Sequence, residues 1–275
     1  MKWSFRRTLL IAFNTFREAA RMKLFLVILI LALGAFASSF LFKEFNFGSS
    51  ELKFIADFGF GGMTLFGSVL AIIVSVQLFI GEIEHRTALT VLAKPLFRSE
   101  YLLGKFFGSW LMIACFVGML SLCLAIALWI RETSILQANP EAFQGAEPID
   151  ILQVLAFGII QILRLGMLCA LVALFSSYAS STVFAMSMGF LVWVASQLQY
   201  IATDAWSGGS HWLLKILFAF ASLALPNFHL FEVGDKIALG ETLSVVVYLK
   251  LATYAVLYTA FYLSISIVAF NRREF

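Results

Sequence analysis

The sequence consists of long apolar runs separated by short polar segments. A helix that crosses a hydrocarbon core about 30 Å thick needs about 20 apolar residues, and six runs reach this length. The runs are residues 24–42, 58–80, 106–130, 151–175, 182–201 and 243–270. The alternating strands of a membrane barrel do not occur in the sequence. The pattern predicts an all-α integral membrane protein with six transmembrane helices, folded as a single transmembrane domain over residues 1–275.

Residues 1–23 show a different periodicity, with apolar side chains on one face of a helix and mostly charged ones on the other. The apolar face carries Phe5, Leu9, Ala12, Phe16 and Ala20, and the opposite face carries Arg7, Asn14, Arg17, Glu18 and Arg21. This pattern predicts an amphipathic helix in the membrane interface, with its basic face toward anionic headgroups. Such a helix is either an orientation anchor or an elbow that packs on the bundle and moves with it.

The segment 202–242 follows spans one to five (24–201) and also has helical character. Residues 212–225 are apolar but too few to span a membrane, and Pro226 interrupts the run. Residues 228–239 form a second candidate helix. We expect two short re-entrant or interfacial half-helices on the outer side, ahead of the last span and tail at 243–275.

Basic residues predict the orientation, since cytoplasmic loops of membrane proteins carry an excess of Lys and Arg. With the N-terminus inside, the inner segments hold twelve of the nineteen basic residues and the outer segments hold five. Both termini are therefore predicted to be cytoplasmic. Ala35 and Ala37 resemble a signal-peptide cleavage site, but the stretch ahead of the apolar run is too long for one, and we expect no cleavage.

Composition excludes several classes of protein. Hydrophobic residues make up 61% of the chain and charged residues 13%, whereas soluble domains have about 45–50% and about 25%. The net charge of +3 is too small to indicate a nucleic-acid partner. Cys115, Cys123 and Cys169 all lie in apolar runs, which argues against a disulfide framework and against a zinc site. The chain is therefore expected to be a membrane protein and not a soluble enzyme.

The titratable residues argue against transport chemistry by the chain alone. No carboxylate falls in the middle of an apolar run, and Asp57 and Asp150 are expected at the edges of spans. Ion-coupled carriers usually need an intramembrane acid, so a secondary carrier is disfavoured. Gly104 and Lys105 lack the glycine-rich turn of a phosphate-binding loop. We expect the chain itself to bind no cofactor or metal and to have no catalytic residue.

The inner loop between the second and third runs, residues 81–105, carries the most specific signal. Its first charged and polar residues are Glu82, Glu84, His85, Arg86 and Thr87. Residues 84–93 are predicted to form a short helix that Pro95 stops, and Ser99 is placed to cap the next helix. A short surface helix joined closely to two spans suits mechanical contact with a cytoplasmic partner.

This loop resembles that of the ATP-binding-cassette (ABC) type-2 permeases. The matching residues are Glu82, Glu84, Arg86, Thr87, the Leu-x-Lys-Pro of 92–95, Arg98, Tyr101, Gly104 and Lys105. The layout agrees as well, with Phe16-Arg17-Glu18 before the first span, Leu225-Pro226-Asn227 before the last and a short basic tail. The layout covers nearly the whole chain, whereas the motif is confined to residues 81–108.

The resemblance implies the membrane subunit of an exporter that performs no chemistry itself. In that family two permease copies pair with two ATPase subunits, which hold ATP and Mg, and the first inner loop is the coupling helix. The resemblance assigns the ATPase contacts to Glu82, Glu84, His85, Arg86 and Thr87, with residues 176–181 as a smaller second contact. It also implies a multi-pass subunit of a prokaryotic cytoplasmic (inner) membrane, surrounded by lipid. Ordinary loop solvation is the simpler explanation of the same charges.

Polar residues within the predicted spans are further candidates. Arg164 falls midway along the fourth span, where an unpaired charge costs about 2.5–3.5 kcal/mol, and Gln161 lies one turn before it. They form either an interhelical hydrogen-bonded clamp or a substrate contact, and Gln77 is a weaker candidate of the same kind. Gly104 and Gly108 form a GxxxG pair, which predicts a close-packing face.

Two alternatives to export remain at this point. A permease of this layout would also suit the transmission of ATPase motion to a partner protein, and binding of an outer partner to residues 202–242 would favour that function. An ATP-independent carrier or a membrane scaffold is the alternative of a different class. It would be favoured if no ATPase associates with the chain.

Overall fold

The computed structural model describes residues 4–40, 51–84, 97–138, 150–179, 181–206 and 225–272. Within these ranges 91% of the residues are helical and none lies in a strand. In chain order the elements are α1 (Phe5–Ala20), α2 (Lys23–Ser39), α3 (Glu51–Glu84), α4 (Arg98–Ala138), α5 (Ile151–Tyr178), α6 (Thr182–Trp206), a 3₁₀ turn (Phe228–Phe231), α7 (Gly234–Ala238) and α8 (Val245–Arg272). The predicted all-α class is confirmed.

Five of the described helices are long and apolar enough to cross a membrane, namely α3, α4, α5, α6 and α8. Helix α2 corresponds to the first predicted span. Taken together, α1 and α2 are also long and apolar enough to cross a membrane, but they bend by 63° at the break between them. The described residues therefore contain five or six spans, in agreement with the predicted layout.

Helix α3 begins seven residues ahead of its predicted start at residue 58. Leu52, Ile55 and Ala56 are buried there, so tertiary packing stabilises the extra turns. Asp57 consequently lies inside a candidate span that begins at Leu52. Asp57 is the sixth of the 30 residues of that span, so it lies within its first two turns and not in the middle, as expected. Asp150 also lies at an edge, where it caps the N-terminus of α5.

Helix α5 is the most enclosed of the five spans. In the most apolar 18-residue stretch of α5, 72% of the residues are buried, against 28% in the corresponding stretches of α6 and α8. A glycine lets α4 approach closely, since a Cβ on Gly166 would lie 2.6 Å from the indole nitrogen of Trp110. The same indole N–H donates a hydrogen bond to the Ile162 carbonyl at 2.9 Å. The core of the bundle is therefore built around α5, the helix that carries Arg164.

Helix α1 packs along α4 at the two glycines of the GxxxG pair. A Cβ on Gly104 would lie 2.6 Å from the side chain of Ile11. A Cβ on Gly108 would lie 2.5 Å from the Ala12 carbonyl oxygen and 2.5 Å from Thr15 Cβ. The prediction of a close-packing face is confirmed, and so is the packing of α1 on the bundle. That α1 moves with the bundle stays a prediction.

The face of α1 that meets α4 is not the predicted apolar face. Thr8, Thr15 and Ala19 are the buried residues, whereas Phe5 and Leu9 are 66% and 58% exposed. At the glycines the contact is formed by Ile11 and Thr15. Phe5 and Leu9 lie on the outer surface, where an interfacial helix meets acyl chains.

The segment before the last span is less regular than predicted. Instead of one helix over 228–239, the chain forms the 3₁₀ turn and then α7. Phe228 and Phe231 are completely buried, so the turn is held against the bundle by its aromatic side chains. The other predicted half-helix, 212–225, lies outside the described residues except for its last residue.

Candidate functional site

The first of two polar clusters, the loop clamp, lies where α4 begins. It comprises Ser4, Glu18, Arg98, Glu100 and Lys105. The contacts of these residues connect α4 with helices that are distant in sequence. The clamp follows directly after residues 85–96, the middle of the predicted coupling loop, which lie outside the described part of the chain.

Glu100 fixes the first turn of α4. Its carboxylate is fully buried and accepts hydrogen bonds from the backbone N–H of Ser4 at 2.7 Å and of Phe97 at 3.1 Å. Because α4 begins at Arg98, the second bond is that of a glutamate at the third helical position of a capping box. The prediction of Ser99 as the cap is wrong, since Ser99 already lies inside the helix. Ser4 precedes α1, so Glu100 also attaches α1 to α4.

Arg98 joins α4 to the last turn of α8. Its Nη1 donates hydrogen bonds to the carbonyl oxygens of Phe270 at 3.4 Å and Asn271 at 2.9 Å. Carbonyls in the last turn of a helix lack intrahelical partners and favour a cation. The ring of Tyr101 stacks on that of Phe270, with centroids 5.9 Å apart. The last span is therefore attached to the first residue of α4.

Glu18 and Lys105 complete the loop clamp by joining α1 to α4. Glu18 Oε2 lies 3.3 Å from Lys105 Nζ, and the Lys105 side chain is only 2% exposed. The Lys105 ammonium also lies 6.0 Å from the centroid of the Tyr101 ring. The ends of α1, α4 and α8 are thus bonded together beside the predicted coupling loop.

The second cluster, the arginine network, surrounds the buried side chain of Arg164. Its Nη1 donates to Gln161 Oε1 at 3.1 Å, and its Nη2 donates to Gln197 Oε1 on α6 at 3.0 Å. The guanidinium carbon lies 5.3 Å from the centroid of the Phe228 ring, within range of a cation–π contact. Gln161 Nε2 donates to the Phe231 carbonyl at 3.2 Å. Helices α5 and α6 and the 3₁₀ turn are therefore joined around one buried charge.

Glu232 brings the opposite charge to this network. Its carboxylate accepts a hydrogen bond from Gln197 Nε2 and attracts Arg164 electrostatically. His229 Nε2 lies 3.7 Å from the other carboxylate oxygen. Both Glu232 and His229 are partly exposed, so the network extends from a buried guanidinium to the protein surface. An arginine within a membrane span needs such partners, because its charge is costly there without them.

The two clusters lie toward opposite ends of α3. The loop clamp adjoins the loop that follows Glu84 at the end of α3. Gly234, which closely follows Glu232, packs against Phe60 near the start of α3, where a Cβ would lie 3.0 Å from the ring. About 36 Å of helical rise separates Phe60 from Glu84. A movement of the bundle that starts at the loop clamp therefore has to cross most of a span to reach the arginine network.

Both clusters consist of side chains that satisfy one another or the backbone. The loop clamp pairs charges with helix ends and with one another, and the arginine network satisfies a single guanidinium. Among the residues that the structure describes, no three His, Cys, Asp or Glu side chains gather as they would around a metal ion. The polar side chains of each cluster form hydrogen bonds and ion pairs that hold helices together.

Comparison with known protein families decides which family this architecture belongs to. The sequence model of the family described as ABC-2 family transporter protein matches residues 9–274. The chain belongs to the ABC-2 transporter family. No curated protein matches it. The resemblance inferred from the inner loop and the layout is confirmed, and the chain is the multi-pass permease subunit of an ABC transporter.

In this ABC-2 permease the predicted ATPase contacts lie at the border of the described residues. The backbone of Glu82 and Glu84 belongs to the last turn of α3, while their side chains lie outside the described part. His85, Arg86 and Thr87 lie outside it altogether. The assignment of these five residues to ATPase coupling stays a prediction.

The other predicted residues of the ABC-2 permease fall in different places. Arg164 and Gln161 are brought together in the arginine network, whereas Gln77 is half-buried on α3 and belongs to neither cluster. Ser177, in the predicted second loop contact, is buried, and its Oγ lies 2.7 Å from that of Ser266 on α8. At this serine the contact is between two helices of the permease.

Sequence reasoning missed three members of the arginine network, namely Gln197, Phe228 and Glu232. A signal for Glu232 exists, because an arginine in the middle of a span requires an acid or carbonyl groups nearby. Gln197 is also visible as an amide within an apolar run. No periodicity links either residue to Arg164, since each lies on a different element. The association of Gln197 and Glu232 with Arg164 follows only from how α5, α6 and the 3₁₀ turn pack.

Proposed function

We propose that this ABC-2 permease exports its substrate by coupling to ATP hydrolysis on a separate ATPase subunit, through contacts at Glu82, Glu84, His85, Arg86 and Thr87. The loop clamp is the observation that carries the proposal. Helix α3 ends at Glu84, and α4 starts at Arg98 with its first turn bonded to α1 and α8. A force applied to the loop between them would therefore reach four helices at once. Such a connection suits a loop on which another protein acts mechanically.

In the proposed cycle, ATP binding closes the ATPase subunits and moves the coupling loop. Helices α1 and α4 then move as one unit, since Gly104 and Gly108 keep α1 on α4, and Arg98 transmits the movement to the end of α8. At the other end, the arginine network holds α5, α6 and the 3₁₀ turn together and closes the outer side. Opening that side requires Gln197 or Glu232 to separate from Arg164. Water or substrate then has to solvate the guanidinium.

The proposal includes two permease copies in a prokaryotic cytoplasmic membrane, with both termini in the cytoplasm. The excess of Lys and Arg in the predicted inner segments supports this orientation. Helices α6 and α8 support the second copy, because they are less buried than the other spans. Their outer faces are available for lipid and for another permease.

Purification of the chain from its native membranes in mild detergent tests the proposal. We expect a cassette ATPase to co-purify in equal stoichiometry and to hydrolyse ATP. The variant Arg98→Gln keeps the loop but removes the guanidinium bonds to α8, so it should retain the ATPase and lose transport in vesicles. A chain that purifies alone, with no nucleotide-dependent activity, would contradict export and favour an ATP-independent carrier or scaffold. ATPase assembly without solute movement, and with an outer partner bound, would replace export with mechanical transmission.

A further inference from the structure

A cavity of about 430 Å³ lies between α2 and α3 and shares no residue with either polar cluster. Its volume falls within the range of about 300–1,000 Å³ in which proteins bind small molecules. Helix α2 contributes Ala32 and Phe36, α4 contributes Leu120, and α3 provides most of the remaining wall. The lining residue Leu65 is exposed, so the cavity opens at the side of the bundle that the membrane would surround.

Glycines leave this space beside α3. Gly61 and Gly62 line the cavity, and a Cβ built on either residue would meet no atom within 4 Å. At Gly59, in contrast, a Cβ would lie 2.6 Å from the side chain of Leu124. Helix packing therefore accounts for Gly59 but not for the other two glycines. The space beside α3 is open to the side that the membrane would surround, so an apolar group can enter it from there.

Asp57 is the one polar side chain among the described residues that line the cavity. Its Oδ1 is buried and has no hydrogen-bond partner, whereas buried polar atoms are normally bonded. The charged groups that act on Asp57 are Lys53 and Asp235, and the three together carry one net negative charge. The rings of Phe54 and Phe58 flank Asp57 in sequence, with centroids 5.9 Å apart. The cavity therefore combines apolar walls with a single carboxyl side chain.

We propose that this cavity binds the exported substrate and that the substrate is an amphiphile with a protonated amine. The ammonium group lies on Asp57, and the apolar body lies along Gly61 and Gly62. An ammonium carries the charge opposite to that of the Asp57 carboxylate and is attracted to aromatic faces such as those of Phe54 and Phe58. A neutral headgroup would bring no such charge to the carboxylate, and an anionic headgroup would be repelled. The assignment rests on the proposed export function and adds the class of substrate.

Photolabelling of the purified full-length chain in lipid nanodiscs tests this assignment. The probe is octadecylamine with a diazirine in its alkyl chain, and the matched probe is octadecanol with the same diazirine. We expect the amine to label residues 54–66 about tenfold more than the alcohol, as one charge-assisted contact allows. Asp57→Asn keeps the shape of the side chain and removes its charge. This variant should abolish the difference between the two probes.

A cavity-filling variant tests the apolar part of the site. Gly62→Leu should exclude both probes, because its side chain occupies the space beside α3. Gly118→Leu is the matched control, since a Cβ on Gly118 of α4 also meets nothing within 4 Å and Gly118 is not among the residues that line the cavity. Equal labelling by both probes, or unchanged amine labelling in Asp57→Asn, would overturn the assignment. So would the exclusion of both probes from the wild-type chain, which would mean that a second copy covers the cavity.

The response to nucleotide separates this assignment from the export function on which it rests. In the complex with a co-purified ATPase, ATP should reduce labelling by the amine. Selective labelling that does not respond to nucleotide would keep the binding site and contradict export. An ATPase that responds normally to the permease, without amine selectivity, would keep export and contradict the substrate class.

Discussion

Glu18 on α1 and Lys105 on α4 form an ion pair across 87 residues of sequence, with Oε2 3.3 Å from Nζ. The lysine side chain is almost completely buried, whereas the glutamate is 40% exposed. Helix α1 is therefore attached to the bundle by charge as well as by close packing. This attachment favours an elbow helix over a simple anchor on the membrane surface.

Glu18→Gln should destabilise the protein by about 1–2 kcal/mol, because it removes the carboxylate that faces a buried ammonium. Adding Lys105→Met should recover part of the loss, since an apolar side chain of similar length often replaces a buried ion pair without cost. Thermal unfolding in detergent measures both effects. A double variant that loses as much as the two single variants together would contradict a coupled pair.

Gly108→Ala should separate α1 from α4 and lower the unfolding temperature. The added Cβ would lie 2.5 Å from the Ala12 carbonyl oxygen, and backbone cannot move aside as a flexible side chain can. Gly118→Ala on the same helix is the control, because its Cβ meets nothing within 4 Å. Alanine forms helices more readily than glycine by about 1 kcal/mol, so the control should be at least as stable as the wild type. Equal unfolding temperatures for the two variants would show that the close contact is absent.

Arg164→Met should be non-additive with Gln197→Leu, because one hydrogen bond joins the two side chains. Bonds of this kind between membrane helices contribute about 0.5–2 kcal/mol of coupling energy. A double-mutant cycle on unfolding in detergent measures this energy. Gln77→Leu is the control for Gln197→Leu, since Gln77 lies outside both clusters, and its effect should add to that of Arg164→Met. Additive effects of Arg164→Met and Gln197→Leu would contradict the network.

Charge reversal at the predicted coupling loop, Glu84→Lys with Arg86→Glu, should abolish stimulation of the ATPase and leave membrane insertion intact. The change reverses both charges that the groove of the partner is expected to recognise. Arg131→Glu with Glu132→Arg makes the same change near the other end of α4 and should leave stimulation unaffected. ATPase assembly and ATP hydrolysis in vesicles are the measurements. Normal stimulation in the first variant would remove the coupling assignment.

The extent of α3 shows where sequence periodicity stops being informative. Its apolar run predicts a start at residue 58, yet Leu52 and Ile55 are buried and extend the helix to Glu51. Their burial depends on neighbouring elements such as α7, which contacts α3, and such contacts leave no local pattern. As a result, Asp57 lies within the helix and lines a cavity.

The loop clamp and the arginine network also contain some residues that could be predicted from the sequence and others that could not. Gly104, Gly108 and Arg164 could be singled out from sequence, because a GxxxG pair and a charge within a span have a local physical meaning. The partners Gln197 and Glu232 could not, since the rotation of each helix about its axis decides which side chains meet. Glu100 was missed for a related reason, because its role as a cap depends on where α4 begins.

By itself the sequence determined the all-α class, the approximate positions of the spans, the amphipathic first helix and the family. These properties follow from the length of apolar runs, which must match the membrane, and from short motifs within one segment. Only the tertiary structure decided which face of α1 meets α4, which partners surround Arg164 and where a cavity remains. Those outcomes depend on contacts between residues far apart in the chain. Such contacts are set by the close packing of whole helices and not by any local periodicity.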